Sequence, residues 1–594
     1  MPEKIGGWLK ATSQTMIGSC RQLFGWVTSY TDNFLACGTN KKAYIEVGAI
    51  FYDITPLRAA TPTLTTPVTD NCITTTNGSS TVTIVAVGAA PIENNYVTIS
   101  GATAVGGISA ALLNANHKIV TAINTNAFTI VVGANATSGA TGGGTAIDLE
   151  FEINVGNASS TLGYGWGTST WNDNFGWGLS SPVPIDLPQQ DWWFDQFDNN
   201  LVMNIRNGPI YYWERGTDPN PGVSLTTRAV LLSTISGAAD VPNKAMQTLV
   251  SQNDKHLLAF GCQPYAGLST DYDPLLIRWA SQDDPGMWTP QVTNTAGFLR
   301  VGRGSNIVRA VPTRQEILVF TESTLNSLQF TGTSDVFSLQ EIGDNISIIG
   351  PRAVTVVNNM TFWMGHDKFY VYSGRVETLP CTLRNFVFNN INFDQADQIV
   401  CGTNEGWNEV WWMYPSGTSQ YNNAYVIYNH LERIWYYGNI SRTAWIDSPL
   451  REFPQAVFTD DTTELSYLYN HESGTNDDGA PMTAYIQSSD FDLMEGDQFV
   501  LTRRMIPDVN FDGSTATNPE ANFIIRPRNF PGSSFYNNAS NTQRVIQTTV
   551  NQFTEQVFIR ARARQLALKI ESTGLDTQWQ LGSPRLDMRP DGKR

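Results

Sequence analysis

A short strand pattern recurs along the chain, and it restricts the fold more than any other feature. A polar residue leads into three or four apolar ones, and a second strand follows that ends in aromatics. Residues 33–37 lead to 50–52, 200–203 to 210–213, 256–260 to 275–279, 316–320 to 325–330, and 359–363 to 369–372. Residues 409–412 lead to 424–428 and 434–437, and 465–469 is a last, weaker copy. The middles of the leading strands fall at Val202, Leu258, Leu318, Phe362 and Val410, at similar steps. Short runs of β-branched and aromatic residues bounded by Gly, Asn and Asp read as strands. A four-stranded unit recurring at roughly 40–60 residues marks a β-propeller. One blade cannot bury its own faces, so blades must pack round an axis. The competing arrangement is a run of unrelated hairpins in stacked sandwiches.

Two stretches break the repeat. The step from Leu35 to Val202 is far too long for one blade. The excess, residues 60–155, is rich in Thr, Ala, Gly and Asn and poor in aromatics and charge. It predicts a small β-sandwich inserted in a blade loop, where insertions are tolerated. The aromatic-glycine segment 163–177 reads as the return linker. Beyond residue 498 the repeat stops and the charge changes sign. Residues 499–594 carry 13 Lys/Arg against 8 Asp/Glu, a surplus of five, so with a net −17 overall the first 498 residues stand at −22. The expected organisation is all-β. It has a first blade region in 1–59, an inserted domain in 60–155, the remaining blades in 156–498 and a C-terminal β domain in 499–594.

Charged residues make up 15% and aromatics 11%, against roughly 25% charged in an average soluble protein. Such a chain folds by stacking sheets. Its acidity argues against a protein that reads DNA sequence, which would show a basic stripe. An acidic wall is compatible with a conduit through which DNA slides without sticking. Six Cys are scattered with no CxxC pair and read as buried thiols. No apolar run approaches the roughly 18–20 residues of a membrane helix, so no membrane segment is expected.

Catalytic motifs give no foothold. The chain has no HExxH, P-loop, GxSxG elbow or GxGxxG after a strand. Asp508-Val-Asn-Phe-Asp-Gly513 begins like a calcium loop, but Pro519 stands where the bidentate Glu must be, and the segment reads as a turn. Asp283 with Asp284, and Glu405 with Glu409, are acid pairs of the kind a glycosidase uses. Arg560, Arg562 and Arg564 alternate, so a strand would put all three on one side about 7 Å apart. That spacing suits an acidic neighbouring subunit, DNA phosphates, or a solvated face paired with acids on the next strand. The expectation is a non-enzyme with no cofactor and no metal.

Several segments resemble the large tail-tube proteins of short-tailed bacteriophages, known as nozzle, tail tubular protein B, tail hub or DNA-stabilisation proteins. They are Ile277-Arg-Trp-Ala-Ser-Gln-Asp-Asp-Pro-Gly-Met-Trp288, Thr313-Arg-Gln-Glu-Ile-Leu-Val-Phe320, Gly343-Asp-Asn-Ile-Ser-Ile-Ile349, Phe362-Trp-Met-Gly365 with Phe369-Tyr-Val-Tyr-Ser-Gly374, and Asn404-Glu-Gly-Trp-Asn-Glu-Val-Trp-Trp412. Trp579-Gln-Leu-Gly582, the segment 584–592, the opening Trp8-Leu-Lys-Ala-Thr12 and Tyr52-Asp-Ile-Thr-Pro56 also match. The order of these segments carries the resemblance, which does not extend to residues 60–155. It implies a homo-hexameric ring below the portal and adaptor that extends the channel for double-stranded DNA, closes it until ejection, and anchors tail fibres or spikes. The virion tail, assembled in the host bacterial cytoplasm, is then the location. In such a ring, loops around Asp490, Asp492, Glu495 and Asp497 are the expected lumen liners. The alternative from another class is a tail-spike or propeller glycosidase or lectin acting on surface polysaccharide.

Overall fold

The computed structural model describes residues 1–58, 71–161, 188–217, 225, 227–267, 271–333, 335–493, 496–533, 535–537, 542, 543 and 545–593. The return-linker segment 163–177 and Glu495 lie outside them. Nearly all the regular structure is strand, in antiparallel sheets, and the chain divides into two compact units.

The larger unit covers Gln14–Arg451 and Ala456–Tyr467. Six four-stranded sheets, spanning 20–53, 192–231, 245–300, 307–344, 354–379 and 400–438, each run in simple up-and-down order. The predicted strand pairs are the second and third or later strands of these sheets. Turn chemistry sets the hairpins. Asn358 and Asn359 fill the tight turn between Val354–Val357 and Met360–Met364, both at positive φ (47° and 65°), the geometry a tight hairpin demands. A seventh sheet contributes to this unit Ala444–Ile446 and the strand residues 456–460 and 465–467. The strand Met16–Ile17 joins it, pairing with Ser466 and Leu465. The ring is thus closed by chain from before the first blade.

The first strands of the sheets neighbour one another in sequence. Cys20–Val27 contacts both Trp192–Phe197 and Ala444–Ile446, so the series returns on itself. The fourth and fifth blades share one core containing Val311, Phe320, Val354 and Trp363. Among the described residues these seven sheets make the blades of a propeller, and its high aromatic content is spent between blades. Trp213 meets Trp26 and Phe34, Trp279 meets Phe337, Phe320 meets Trp363, Phe369 meets Trp412, and Trp411 meets Trp445, with centroids 4.9–6.5 Å apart. Indole N–H groups stitch the same seams, Trp192 to the Thr39 carbonyl at 3.0 Å and Trp445 to that of Thr403 at 2.7 Å. Gly38 leaves the room Trp192 needs, since a Cβ there would lie 2.7 Å from the indole.

Between the first and second blades sits the inserted domain. One sheet orders Thr121–Asn124, Ala127–Val131, Thr81–Val85, Ile73–Thr75 and Ala140–Gly142, and the other Asn116–Lys118, Tyr96–Ser100 and Asp148–Phe151. Val82, Ile84, Val97, Ile99, Phe128 and Ile130 alternate inward to form a core of its own. A charged knot ties it to the first blades. Lys42 lies 2.8 Å from Asp53 and 2.9 Å from Glu152, and Arg228 lies 2.7 and 3.0 Å from the same two acids.

The second unit is Met1–Ser13, Glu452–Gln455 and Leu468–Arg594. Its four-stranded sheet orders Ala484–Gln487, Gln565–Ser572, Glu520–Arg528 and Ile546–Asn551. Its three-stranded sheet orders Val557–Ala563, Val500–Ile506 and Arg585–Pro590. Phe523, Ile525, Ile559, Leu568, Ile570 and Trp579 belong to its core. The boundaries differ from those read in the sequence at two places. The unit's main stretch begins at Leu468, well before the charge change, and Met1–Ser13 belongs to it rather than to the first blade. The reason is Lys4, whose ammonium is buried and donates to the carbonyls of Thr577 (2.7 Å) and Thr475 (2.9 Å). Burial pulls its pKa down to about 8.

All six thiols are free. Burial pushes Cys20 and Cys262 up to about 12, Cys72 and Cys381 to about 11, and Cys37 and Cys401 well above the ordinary thiol value. Since the thiolate is the reactive form, a colorimetric disulfide reagent at neutral pH is expected to modify fewer than about one thiol per folded chain over an hour. In denaturant it should modify all six. Rapid labelling of the folded chain would show a thiol whose pKa is not raised.

Candidate functional site

The three-stranded sheet of the second unit alternates cleanly. Val557, Ile559, Ala561 and Ala563 are buried, while Phe558 and Arg560 are exposed and Arg562 half-buried. Residues opposed across antiparallel strands share a face, and the register extends this outer face over all three strands. Arg504, on the central strand, stands opposite Phe558 and Asp587. Leu501 stands opposite Arg562 and Arg589, and Ile506 opposite Arg585. A bulge between Thr502 and Arg504 turns Arg503 out as well. Six arginines therefore meet on one sheet face, at 503, 504, 560, 562, 585 and 589.

Acids only partly balance them. Arg562 Nε pairs with Asp591, and Arg589 lies 3.7 Å from Asp587. Among the described residues no ion-pair partner accompanies Arg503, Arg560 or Arg585. Phe558, 78% exposed, stands in their midst. Arg564 lies one residue past the strand and joins by another route. It and Arg562 both cover the Phe499 ring, at 5.0 and 4.2 Å, and its Nη2 donates to the Lys593 carbonyl at 3.0 Å. These two arginines, Phe499, Asn529 and Phe530 line a depression of about 500 Å³.

Arg560 and Arg562 thus share the outer face, Arg564 meets Arg562 on Phe499, and Arg562 pairs with Asp591, which follows the strand Arg585–Pro590. The sequence did not reveal Arg503, Arg504, Arg585 and Arg589 as their neighbours. The described acids of the candidate lumen loop meet bases or amides of their own unit. Asp490 pairs with Arg528 at 2.7 Å, Asp497 with Lys593 at 3.0 Å, and Asp492 accepts from Gln565 Nε2 at 3.2 Å.

The acid pairs weighed for sugar chemistry have local roles. Asp283, at φ 58°, lies 3.4 Å from Lys255, and Asp284 accepts from the Gly286 N–H within its turn at 2.9 Å. Glu409 is buried and accepts from Trp411 Nε1 at 2.8 Å and from the Tyr436 hydroxyl. In the segment 508–513, Asp508 accepts the Ser583 N–H at 2.7 Å and Asn510 caps Asp512. Among the described residues no three His, Cys, Asp or Glu side chains converge on a metal position, and no helix is long and apolar enough to cross a membrane.

No family model matches the chain, and no curated protein matches it. Solved structures align at low similarity. Hsv2 of Kluyvelomyces marxianus gives a TM-score of 0.28 at 8% identity over 48% of this chain and 73% of its own. The endosialidase of phage phi92 gives 0.18 at 12% identity over 77% of this chain and 57% of its own. BBS1N, solved in complex with ARL6DN, gives 0.24 at 8% identity over 79% and 97%. Scores this low carry no argument about function.

Proposed function

We propose that this chain is a structural tail-tube, or nozzle, subunit of a short-tailed phage. Six copies form a ring below the portal and adaptor, extend the DNA channel and close it until ejection. Tail fibres or spikes attach to the ring, and the segments bearing Asp490, Asp492 and Asp497 face the lumen. The ordered resemblance of segments along the chain first raises this reading.

The observation that carries it furthest is the segregation of charge. A face of six arginines around an exposed Phe belongs to a chain whose first 498 residues are at −22. A basic patch and an acidic surface on the same molecule complement each other between copies, which favours head-to-tail association. Such heterologous contacts close into rings when the rotation permits, and charge complementarity fixes their register. Arginine and aromatic side chains are also the residues interfaces select.

Mass photometry followed by negative-stain imaging tests the proposal. A six-membered ring with a central hole, alone or on addition of adaptor, is the expected result. A monomer that does not assemble on adaptor, or a fibrous trimer, would overturn it and turn attention to polysaccharide cleavage.

A further inference from the structure

Blades that are not neighbours in the ring can touch only across its axis, and several charged side chains do so. Arg352, just ahead of the first strand of the fifth blade, donates to Asp191 at 2.8 Å and to the Trp192 carbonyl at 2.6 Å, both in the second blade. Arg206 of the second blade reaches Asp397, ahead of the sixth, at 3.0 Å. Two guanidinium groups lie over the ring of Trp193 of the second blade, Arg309 of the fourth at 4.2 Å and Arg352 at 4.3 Å. Arg21 enters from the first blade. It is 1% exposed, and its Nη2 donates to the Ala158 carbonyl at 2.7 Å.

These groups are not fully served. Among the described residues, Arg21 Nε and Nη1 and Arg309 Nε and Nη1 are buried without an acceptor, and the side-chain amide of Gln189 is buried without a partner at either atom. The four guanidiniums have two aspartates in direct contact, Asp191 and Asp397; the exposed Asp461 acts on Arg21 through space, and Asp191 Oδ1 is buried without a donor. Asp195 acts on Arg309 through space, and burial pushes its pKa up to about 6. Burial also pulls Arg21 down to about 10 and Arg309 to about 9, so both still carry their protons at neutral pH. Arg309 and Arg352 meet on the Trp193 ring, and Arg352 pairs with Asp191; Arg21 and Arg309 each feel both Asp191 and Arg352. A buried positive surplus with unused donors is strongly unfavourable unless an anion fills it.

We propose that the propeller axis binds a free tetrahedral oxyanion of the phosphate class, held by the guanidinium groups clustered round Asp191. The planar fork of a guanidinium matches two oxygens of such an ion. Bound there, the ion joins the first, fourth and fifth blades through groups that otherwise repel one another. It acts as a counter-ion that locks the ring, independently of how copies of the chain assemble.

The test uses the full chain and inorganic phosphate. After equilibration in phosphate and desalting, denatured protein should release about one phosphate per chain, as a single site requires. The unfolding midpoint should rise with the logarithm of phosphate concentration, beyond the rise given by sodium chloride at equal ionic strength. Arg309→Gln should abolish that response, and Arg560→Gln, on the basic sheet face, should keep it. No retained phosphate together with a midpoint that follows ionic strength alone would overturn the proposal and leave water on the axis. Loss of the response in Arg560→Gln would overturn it too, by moving the anion to the sheet face. Should Arg309→Gln not fold, stoichiometry and salt dependence of the unaltered chain decide the matter with Arg560→Gln.

Discussion

Glu152→Ala should destabilise the propeller unit by about 3–5 kcal/mol, the cost of leaving buried charge unbalanced. Glu152 is 1% exposed and Lys42 2%. Lys42 Nζ and Arg228 Nη2 both converge on that carboxylate, and Asn116 Nδ2 adds a hydrogen bond at 2.7 Å. Without it, two cations share Asp53 alone. The double variant Lys42→Met with Glu152→Leu removes one charge of each sign and leaves the Arg228–Asp53 pair, so it should be milder than Glu152→Ala. Urea unfolding of the three proteins separates these outcomes. Equal losses in the single and double variants would mean that packing, rather than charge balance, sets the cost.

Asp53 gives the same knot a pH signature. Burial alone would raise its pKa, but Lys42 and Arg228 outweigh burial and hold it below the ordinary value. A depressed carboxylate contributes stability that is complete above its unfolded pKa of about 3.9 and is lost as pH falls through the folded value. The stability difference between the unaltered chain and Asp53→Asn should therefore be constant near neutrality and close in acid.

Legibility in the sequence followed the range of the interaction. Hairpin pairs such as Asn359–Trp363 with Phe369–Tyr372 could be read because alternation and turn residues act over a few positions. The inserted domain showed through a composition that leaves its core to aliphatic residues, Cys72 and two Phe. The strand that closes the ring, Met16–Ile17, could not be read. Its partners, Leu465 and Ser466, lie far along the chain, and so short a strand carries no period. The tie made by Lys4 could not be read, because nothing local tells of Thr475 and Thr577. Of the basic face, only Arg560, Arg562 and Arg564 were visible. Register alone brings Arg504 beside that strand and Arg589 across the central strand from it, and register between distant strands follows from burying the opposite face. The axial arginines were hidden for the same reason, each coming from a different blade.

Reversing Arg503, Arg560 and Arg589 to Glu should weaken assembly of the chain by at least about 100-fold. Each reversal replaces an attraction with a repulsion, and close interfacial charge pairs couple by about 1.5–7 kcal/mol. These positions suit the experiment because they are exposed and none contributes to the core, so the fold should survive, as circular dichroism would verify. Arg375→Glu, at an exposed position on the fifth blade, provides a control with the same charge change per position that should leave assembly intact. Salt discriminates further: screening at roughly 0.5 M salt should weaken the unaltered assembly and narrow its difference from the triple variant. If the triple variant forms rings as readily as the unaltered chain, the basic face is not the contact between copies. A ring would then need another interface, and DNA phosphates would become the face's remaining partner, recognisable by a binding constant that falls steeply with salt.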